Sequence, residues 1–264
     1  MLIVPLQPED LDQVANLTPE GWDNLVPHFT FNLQAPFCFP LKALLDGEIA
    51  GVGNVICNAG TAWLAQIVVH PSFRNRGVGK AITSALLEQV DRRRFPTILL
   101  DATDMGYPVY RSLGFETISR HVHFSGSLLP EHTTSAIVPY EPAYRIEVLQ
   151  LDRRATGENR EAILEPYLEQ AYIYRDGDKV SGVFFPTLYR GLVVVENVTA
   201  GLTLLQMRLG SKAHAMLPEE NTVALAALEE WGFKEQRRSR RMRLGPAVPW
   251  QPRMIFNVTG GALG

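Results

Sequence analysis

Residues 74–80 read Arg-Asn-Arg-Gly-Val-Gly-Lys, directly after the apolar run Ala62 to Val69 and the turn at His70-Pro71. Those residue types in that order suit the holding of an anion. Glycine lets a ligand approach the backbone closely. The N–H groups that open a helix have no intrahelical acceptor, and the helix dipole favours negative charge there. Arg74, Arg76 and Lys80 add positive charge, while Asn75, Gly77, Val78 and Gly79 supply backbone, so the segment predicts a pyrophosphate cradle. Two phosphate loops are excluded. The nucleoside-triphosphate loop GxxxxGK[ST] fails because Gly79-Lys80 is followed by Ala81 and no glycine stands at Arg74. The dinucleotide fingerprint GxGxxG fails because Ile82 stands where its last glycine is needed. What remains is Arg-x-x-Gly-x-Gly.

The elements around the cradle follow from periodicity. Ala62 to Val69 is apolar almost throughout, which predicts a central strand. Val78, Ala81, Ile82, Ala85, Leu86 and Val90 recur at helical spacing, so a helix opens at the glycines. Asp46-Gly47 between two apolar runs predicts a hairpin. Leu2 to Leu6 and Ile98 to Leu100 read as strands, and acidic residues follow Pro8 as in a first helical turn. Tyr107 to Leu113 reads as a helix stopped by Gly114, and Phe115 to Phe124 alternates like a strand. Gly21 to Pro40, with its aromatics and three prolines, predicts short helices and loops.

The match is Val69-His70-Pro71, then Arg74-x-x-Gly77-x-Gly79, then Tyr110-Arg-Ser-Leu-Gly114-Phe115. With these the sequence resembles the GCN5-related N-acetyltransferase (GNAT) superfamily, over roughly residues 1–125. A subset of that family resembles the whole chain, through Asp101-Ala102-Thr103 and a second acetyltransferase-like half beginning near Asp152-Arg153-Arg154-Ala155-Thr156-Gly157. The resemblance implies an α/β (α+β) fold with a mixed, splayed central sheet flanked by helices. It implies acetyl-CoA as co-substrate and no metal. The pantetheine arm would lie between splayed parallel strands at 62–69 and 97–101. Backbone N–H groups within Ile67, Val68 and Val69 would bind the thioester carbonyl and its oxyanion, and those of Arg74 to Gly79 would hold the pyrophosphate. Tyr110 takes the general acid's place. A free thiol has a pKa near ~8.5, and protonating the leaving sulfur with a positioned phenol is worth ~10²–10⁴ in rate.

The base stays open. An amine with a pKa near ~10.4 must lose a proton before it attacks. The first strand offers Trp63 and Gln66 but no carboxylate. Asp101, Asp104, Glu116, Asp23 and His28 are candidates, and a water chain or desolvated pocket is an alternative. The expected acceptor is a small-molecule amine or amino acid, with a protein lysine or N-terminus also open. Rival readings are a non-catalytic acyl-CoA-binding module and a transferase for a longer acyl chain.

The second half repeats the pattern. Asp178 to Phe185, Leu192 to Val198 and Ala213 to Leu217 read as strands. Thr203 to Leu209 and Thr222 to Trp231 read as helices, the latter stopped at Gly232-Phe233 as the first half's is at Gly114-Phe115. This predicts an internal duplication. At the cradle's counterpart stands Glu196-Asn197-Val198-Thr199-Ala200-Gly201-Leu202, and Leu228 replaces the tyrosine. The copy is expected to be degenerate, with a catalytic domain at 1–130, a linker in the proline-rich stretch 130–142, and the degenerate domain at 143–264. Its tail from Asn257 is expected to fray or to cover a pocket.

The 264 residues carry a net charge of −3 and are 46% hydrophobic, enough for a packed core without staples, and give no basic field for nucleic acid. Cys38 and Cys57 form no CxxC pair and stand near no ligand-spaced histidine, so reduced thiols are expected. His121 and His123 share a strand face without a visible third ligand, which predicts a structural pair, and His70 belongs to its turn. The N-terminus lacks a basic n-region and long apolar core, and no apolar run spans a membrane. A cytoplasmic protein is expected, without membrane or nucleic-acid partners; self-association as a homodimer stays open.

Overall fold

Two units interleave along the chain, the first comprising Met1–Glu116 and Met242–Pro246, the second Thr117–Arg241 and Ala247–Gly264. The structure is a computed structural model that describes residues 1–19 and 24–263, so Gly21, Trp22 and Asp23 lie outside the described residues.

The first unit contains β1 (Leu2–Pro5), α1 (Leu11–Ala15), α2 (Leu25–Gln34), β2 (Cys38–Leu45), β3 (Glu48–Asn58), β4 (Thr61–Val69), α3 (Val78–Gln89), β5 (Thr97–Ala102) and α4 (Tyr107–Ser112). Its strands lie in the order β1-β2-β3-β4-β5. The first four pair antiparallel, and β5 joins β4 in parallel. Asp46 and Gly47 both take positive φ, 55° and 87°, which is the twist a two-residue hairpin between β2 and β3 requires. Helix α3 buries Val78, Ile82, Thr83 and Leu86. Each apolar side chain so buried contributes ~1.5–3 kcal/mol. The helix sits close because β3 offers Gly53 beneath it, where a methyl would stand 2.7 Å from Ile82 Cγ2. A second cluster of Leu6, Val14, Leu17, Leu25, Phe29, Ile49, Val52 and Val68 packs α1 and α2 on the sheet.

Helix α2 is longer than the prolines suggest. Pro27 falls in its first turn, where no N–H is needed, and the Asn24 side chain caps it by accepting from the Val26 N–H at 2.9 Å. Strand β2 likewise runs through Pro40 and starts at Cys38.

The second unit holds most of β6 (Glu116–Ser125), then β7 (Ile137–Pro139), α5 (Arg145–Thr156), α6 (Glu161–Leu164), β8 (Tyr172–Asp176), β9 (Lys179–Phe185), β10 (Leu192–Val195), α7 (Val198–Leu209), β11 (His214–Pro218), α8 (Thr222–Glu230), β12 (Lys234–Leu244) as far as Arg241, and β13 (Ile255–Asn257). One sheet runs β13-β10-β9-β8-β7; in the other, β6 lies between β12 and β11. The succession β2-β3-β4-α3-β5-α4-β6 recurs as β8-β9-β10-α7-β11-α8-β12. The fold is mixed α/β, a splayed mixed sheet flanked by helices.

Pairing, not composition, decides where units divide. Strand β6 ladders with β11, and Met242 belongs to the first unit's core. The proline-rich stretch 130–142 is not a bare linker, since it contains β7, laddered with β8 through Ile137↔Tyr174. Helix α7 opens at Val198, earlier than Thr203, because Asn197 caps it there.

Candidate functional site

Strands β4 and β5 stay in register through Thr61↔Thr97, Ala62↔Ile98 and Trp63↔Leu99, where their ladder ends. Beyond that the register of β4 with β3 jumps from Asn54↔Ala65 to Val52↔Val68, so β4 carries one extra residue. The bulge centres on Gln66, whose φ of 47° is rare for a residue with a side chain. Such a conformation costs on the order of 1–3 kcal/mol and persists only where the surroundings enforce it. The outcome is a V between 64–69 and 100–102.

Polar groups along β4 follow the ladder's alternation. The His70 N–H donates to the Ala50 carbonyl at 2.9 Å, so Val68, two residues back, also faces β3. Val69 therefore turns its N–H toward the V. Ile67 directly follows the bulge residue. Of the three residues expected to bind a carbonyl, Val68 is committed to β3, while Ile67 and Val69 remain suited.

At the end of β4 a short turn, Pro71–Phe73, is held by His70, whose Nδ1 accepts from the Ser72 N–H at 3.3 Å. His70 is structural. Arg74 Nε donates to the Val69 carbonyl at 3.4 Å, and the Arg76 guanidinium lies 5.6 Å over the Phe73 ring. Asn75 and Gly77 take left-handed φ of 62° and 79°. Alternating hand is the backbone pattern that turns successive N–H groups to one side. The Ala81 N–H reaches the Gly77 carbonyl at 3.0 Å, so the N–H groups of Val78, Gly79 and Lys80 precede the first intrahelical bond. Val78 is buried and anchors the helix, whereas Asn75, Arg76, Gly77 and Lys80 are exposed. A methyl at Gly79 would meet only Val69 Cγ2, at 3.6 Å, so the fold itself does not demand glycine there.

Tyr110 stands on α4, directly after β5. Its ring packs edge-on against Phe115 at 6.1 Å and lies over Gly106, where a Cβ would be 2.8 Å from Cε2. Burial raises its pKa, and the negative charge of Asp101 raises it further. Both effects keep the proton on the phenol across the neutral range.

The candidate bases stand at different places, and of them Asp101 acts on Tyr110 through its charge. Asp104 is exposed, and Glu116 pairs with Arg243 at 3.7 Å. Asp101 lies at the end of β5, half-buried. His28 is half-buried on α2, and Asp23 lies outside the described residues. Sequence reading assigned no role to two carboxamides. Asn32, on α2 and 1% exposed, donates from Nδ2 to Gln66 Oε1 at 3.3 Å, with its own Oδ1 unpaired. The available signal was a lone glutamine in an apolar strand.

Burial pushes the Cys38 thiol up to about 12 and the Cys57 thiol up to about 11. The thiolate fraction at pH 8 is therefore far below that of a free cysteine, whose pKa is ~8.5. In a disulfide-exchange reagent at pH 8, both thiols should react at least ~100-fold slower in the native protein than after denaturation. Rapid native labelling of either would show an activated cysteine. His121 meets Trp250 edge-on at 6.5 Å, and His123 Nε2 lies 2.8 Å from Ser239 Oγ. Among the described residues no group of three His, Cys, Asp or Glu could hold a metal, and no helix is long and apolar enough to cross a membrane.

The bulged V, the glycine-opened helix and the tyrosine helix all lie within residues 34–131, the segment that matches the family model of the acetyltransferase (GNAT) domain. That segment is similar to a GNAT acetyltransferase domain. Solved structures extend the likeness of fold to the whole chain. A Pyrococcus horikoshii protein described as a "putative acetyltransferase" superposes with a TM-score of 0.85 at 23% identity, covering 100% of this chain and 95% of that one. A GNAT protein of Sphaerobacter thermophilus gives 0.63 at 15% identity, with 94% and 96% covered. A tandem GNAT protein from the clavulanic acid biosynthesis pathway gives 0.62 at 17%, with 93% and 99% covered. No curated protein matches the chain in sequence. The likeness of fold thus runs through both halves, while Arg74-x-x-Gly77-x-Gly79 and Tyr110 stand in the first.

Proposed function

We propose that the chain is an acetyl-CoA-dependent N-acetyltransferase of the cytoplasm, acting by direct transfer to the primary amine of a small molecule or amino acid. The observation that carries this reading is the V opened by the Gln66 bulge, with an anion nest at the start of α3 where β4 ends. An extended arm ending in a pyrophosphate has those two requirements. The nest and the N–H groups of Val78 to Lys80 receive the pyrophosphate, with charge from Arg74, Arg76 and Lys80.

The chemistry follows from what the V exposes. The amine nitrogen attacks the thioester carbon, and its lone pair becomes the new C–N bond. The carbonyl π electrons move to oxygen, where the N–H groups of Val69 and Ile67 stabilise the charge; one such donor is worth ~10²–10³ in rate. Collapse breaks the C–S bond and the Tyr110 hydroxyl gives its proton to the departing sulfur, while the proton that the nitrogen sheds as the amide forms passes to solvent, from which the phenol is restored. The amine attacks in its neutral form; β4 presents no carboxylate to deprotonate it, which leaves Asp101 on β5 or water to take that proton. Cys38, buried, and Cys57, half-buried, have raised pKa values that make them poor nucleophiles for a covalent acetyl-enzyme.

The test is thiol release from acetyl-CoA, assayed with small amines, amino acids and peptides. Release with one acceptor class is the expected result and names the substrate. CoA binding without release from any acceptor would replace the transferase with an acyl-CoA-binding module.

A further inference from the structure

We infer that the second unit's counterpart of the V is constitutively filled by the chain's own C-terminal strand, so that the protein takes one CoA rather than two. The inference rests on the fold and not on the acetyl transfer proposed above.

By element order β10, β11 and α7 correspond to β4, β5 and α3. Strands β10 and β11 stand in different sheets, and β13 lies between them. It ladders antiparallel with β10 through Val193↔Asn257 and Val194↔Ile255. Just beyond it, the Val258 N–H donates to the Met216 carbonyl of β11 at 2.9 Å. The fully buried Asn257 side chain completes the crossing. Its Oδ1 accepts from the Met216 N–H at 3.0 Å, and its Nδ2 donates to the Gly191 and Val258 carbonyls. An extended amide-bearing arm would use these same backbone groups. Beneath α7 the Phe256 ring fills the remaining space, and a methyl on Gly201 would come within 2.4 Å of it.

The strand is tied down on both sides. Asn221 Nδ2 donates to the Ile255 carbonyl at 2.8 Å, and the Gln251 N–H reaches the Ala155 carbonyl at 2.8 Å. Arg160 donates to the Leu263 carbonyl at 2.9 Å while it forms a buried ion pair with Asp152. Of the tail expected to fray or to cover a pocket, Asn257, Val258, Thr259, Ala262 and Leu263 are buried.

The anion end is closed as well. Asn197 Oδ1 accepts from the Ala200 N–H at 2.9 Å, which caps α7 from within. Glu196 precedes it, already paired with Arg154 and Lys179, and places a carboxylate where a phosphate would need positive charge. Leu228, fully buried, stands in the register of Tyr110.

Calorimetric titration of the full chain with CoA should give one equivalent for the native protein and none for Gly79→Trp, which blocks the first unit alone. Two equivalents for the native protein, one of them surviving in Gly79→Trp, would overturn the inference. Native-state hydrogen exchange should show the amides of 255–258 as slow as those of 192–195, and equally slow with saturating CoA. Fast exchange at 255–258, or acceleration by CoA, would also overturn it. This readout holds even if the native chain binds no CoA, an outcome that would defeat the proposed function instead. Asn257→Leu, which strands buried backbone partners, should lower the thermal midpoint by roughly 5–10 °C. An unchanged midpoint together with unchanged exchange would count against the strand's role.

Discussion

Tyr110→Phe should slow acetyl transfer by ~10²–10⁴ while leaving CoA affinity within about threefold of the native value. The split follows from where the hydroxyl acts. Removing one oxygen leaves the ring on Phe115 and Gly106, so the fold and the cradle persist. What is lost is the proton delivered as the C–S bond breaks. The direction of the Tyr110 shift adds a pH test. Burial first, and the Asp101 charge second, raise its pKa above the ordinary phenol value. The acid form is therefore retained as pH rises through the range in which a free phenol would ionise, near ~10. The native enzyme should lose no rate to Tyr110 ionisation below that range. An alkaline fall that disappears in Tyr110→Phe would contradict this, and equal rates for the two proteins would reduce Tyr110 to a packing residue.

Gly79→Trp should weaken CoA binding by on the order of 100-fold or more, which is about 2.7 kcal/mol. The fold tolerates a Cβ there, because its nearest neighbour would be Val69 Cγ2 at 3.6 Å. The loss therefore reads the space that a pyrophosphate needs beside the opening N–H groups of α3. Titration of CoA into the variant, with circular dichroism to confirm the fold, measures it. Unchanged affinity would remove the cradle from residues 74–80. Gly77→Ala tests a different property, since Gly77 holds φ at 79° and an added side chain strains that backbone even without ligand.

Local features were legible from sequence because local spacing causes them. Arg-x-x-Gly-x-Gly announces a helix opening, and α3 begins at Val78 behind left-handed φ at Asn75 and Gly77. The Asp46-Gly47 hairpin, the helix stop at Gly114 and its repeat at Gly232 are backbone requirements written in one or two residue types. The position of Tyr110 follows from a short helix after a buried strand. Backbone donors were expected within 67–69, but the bulge at Gln66 that sets their direction depends on how β3 and β4 register.

What the tertiary structure alone decided are partnerships between distant residues. No period in the sequence says that β6 ladders with β11, or that Met242 joins the core formed by residues before 117. Nor does a glycine-rich tail announce that Asn257 will bridge Gly191 and Met216, or that Arg160 will reach Leu263. A strand's own pattern specifies which face it buries, because side chains alternate with a period of two. It leaves the choice of neighbour to hydrogen-bonding edges that every strand presents alike, and only the folded chain resolves that choice.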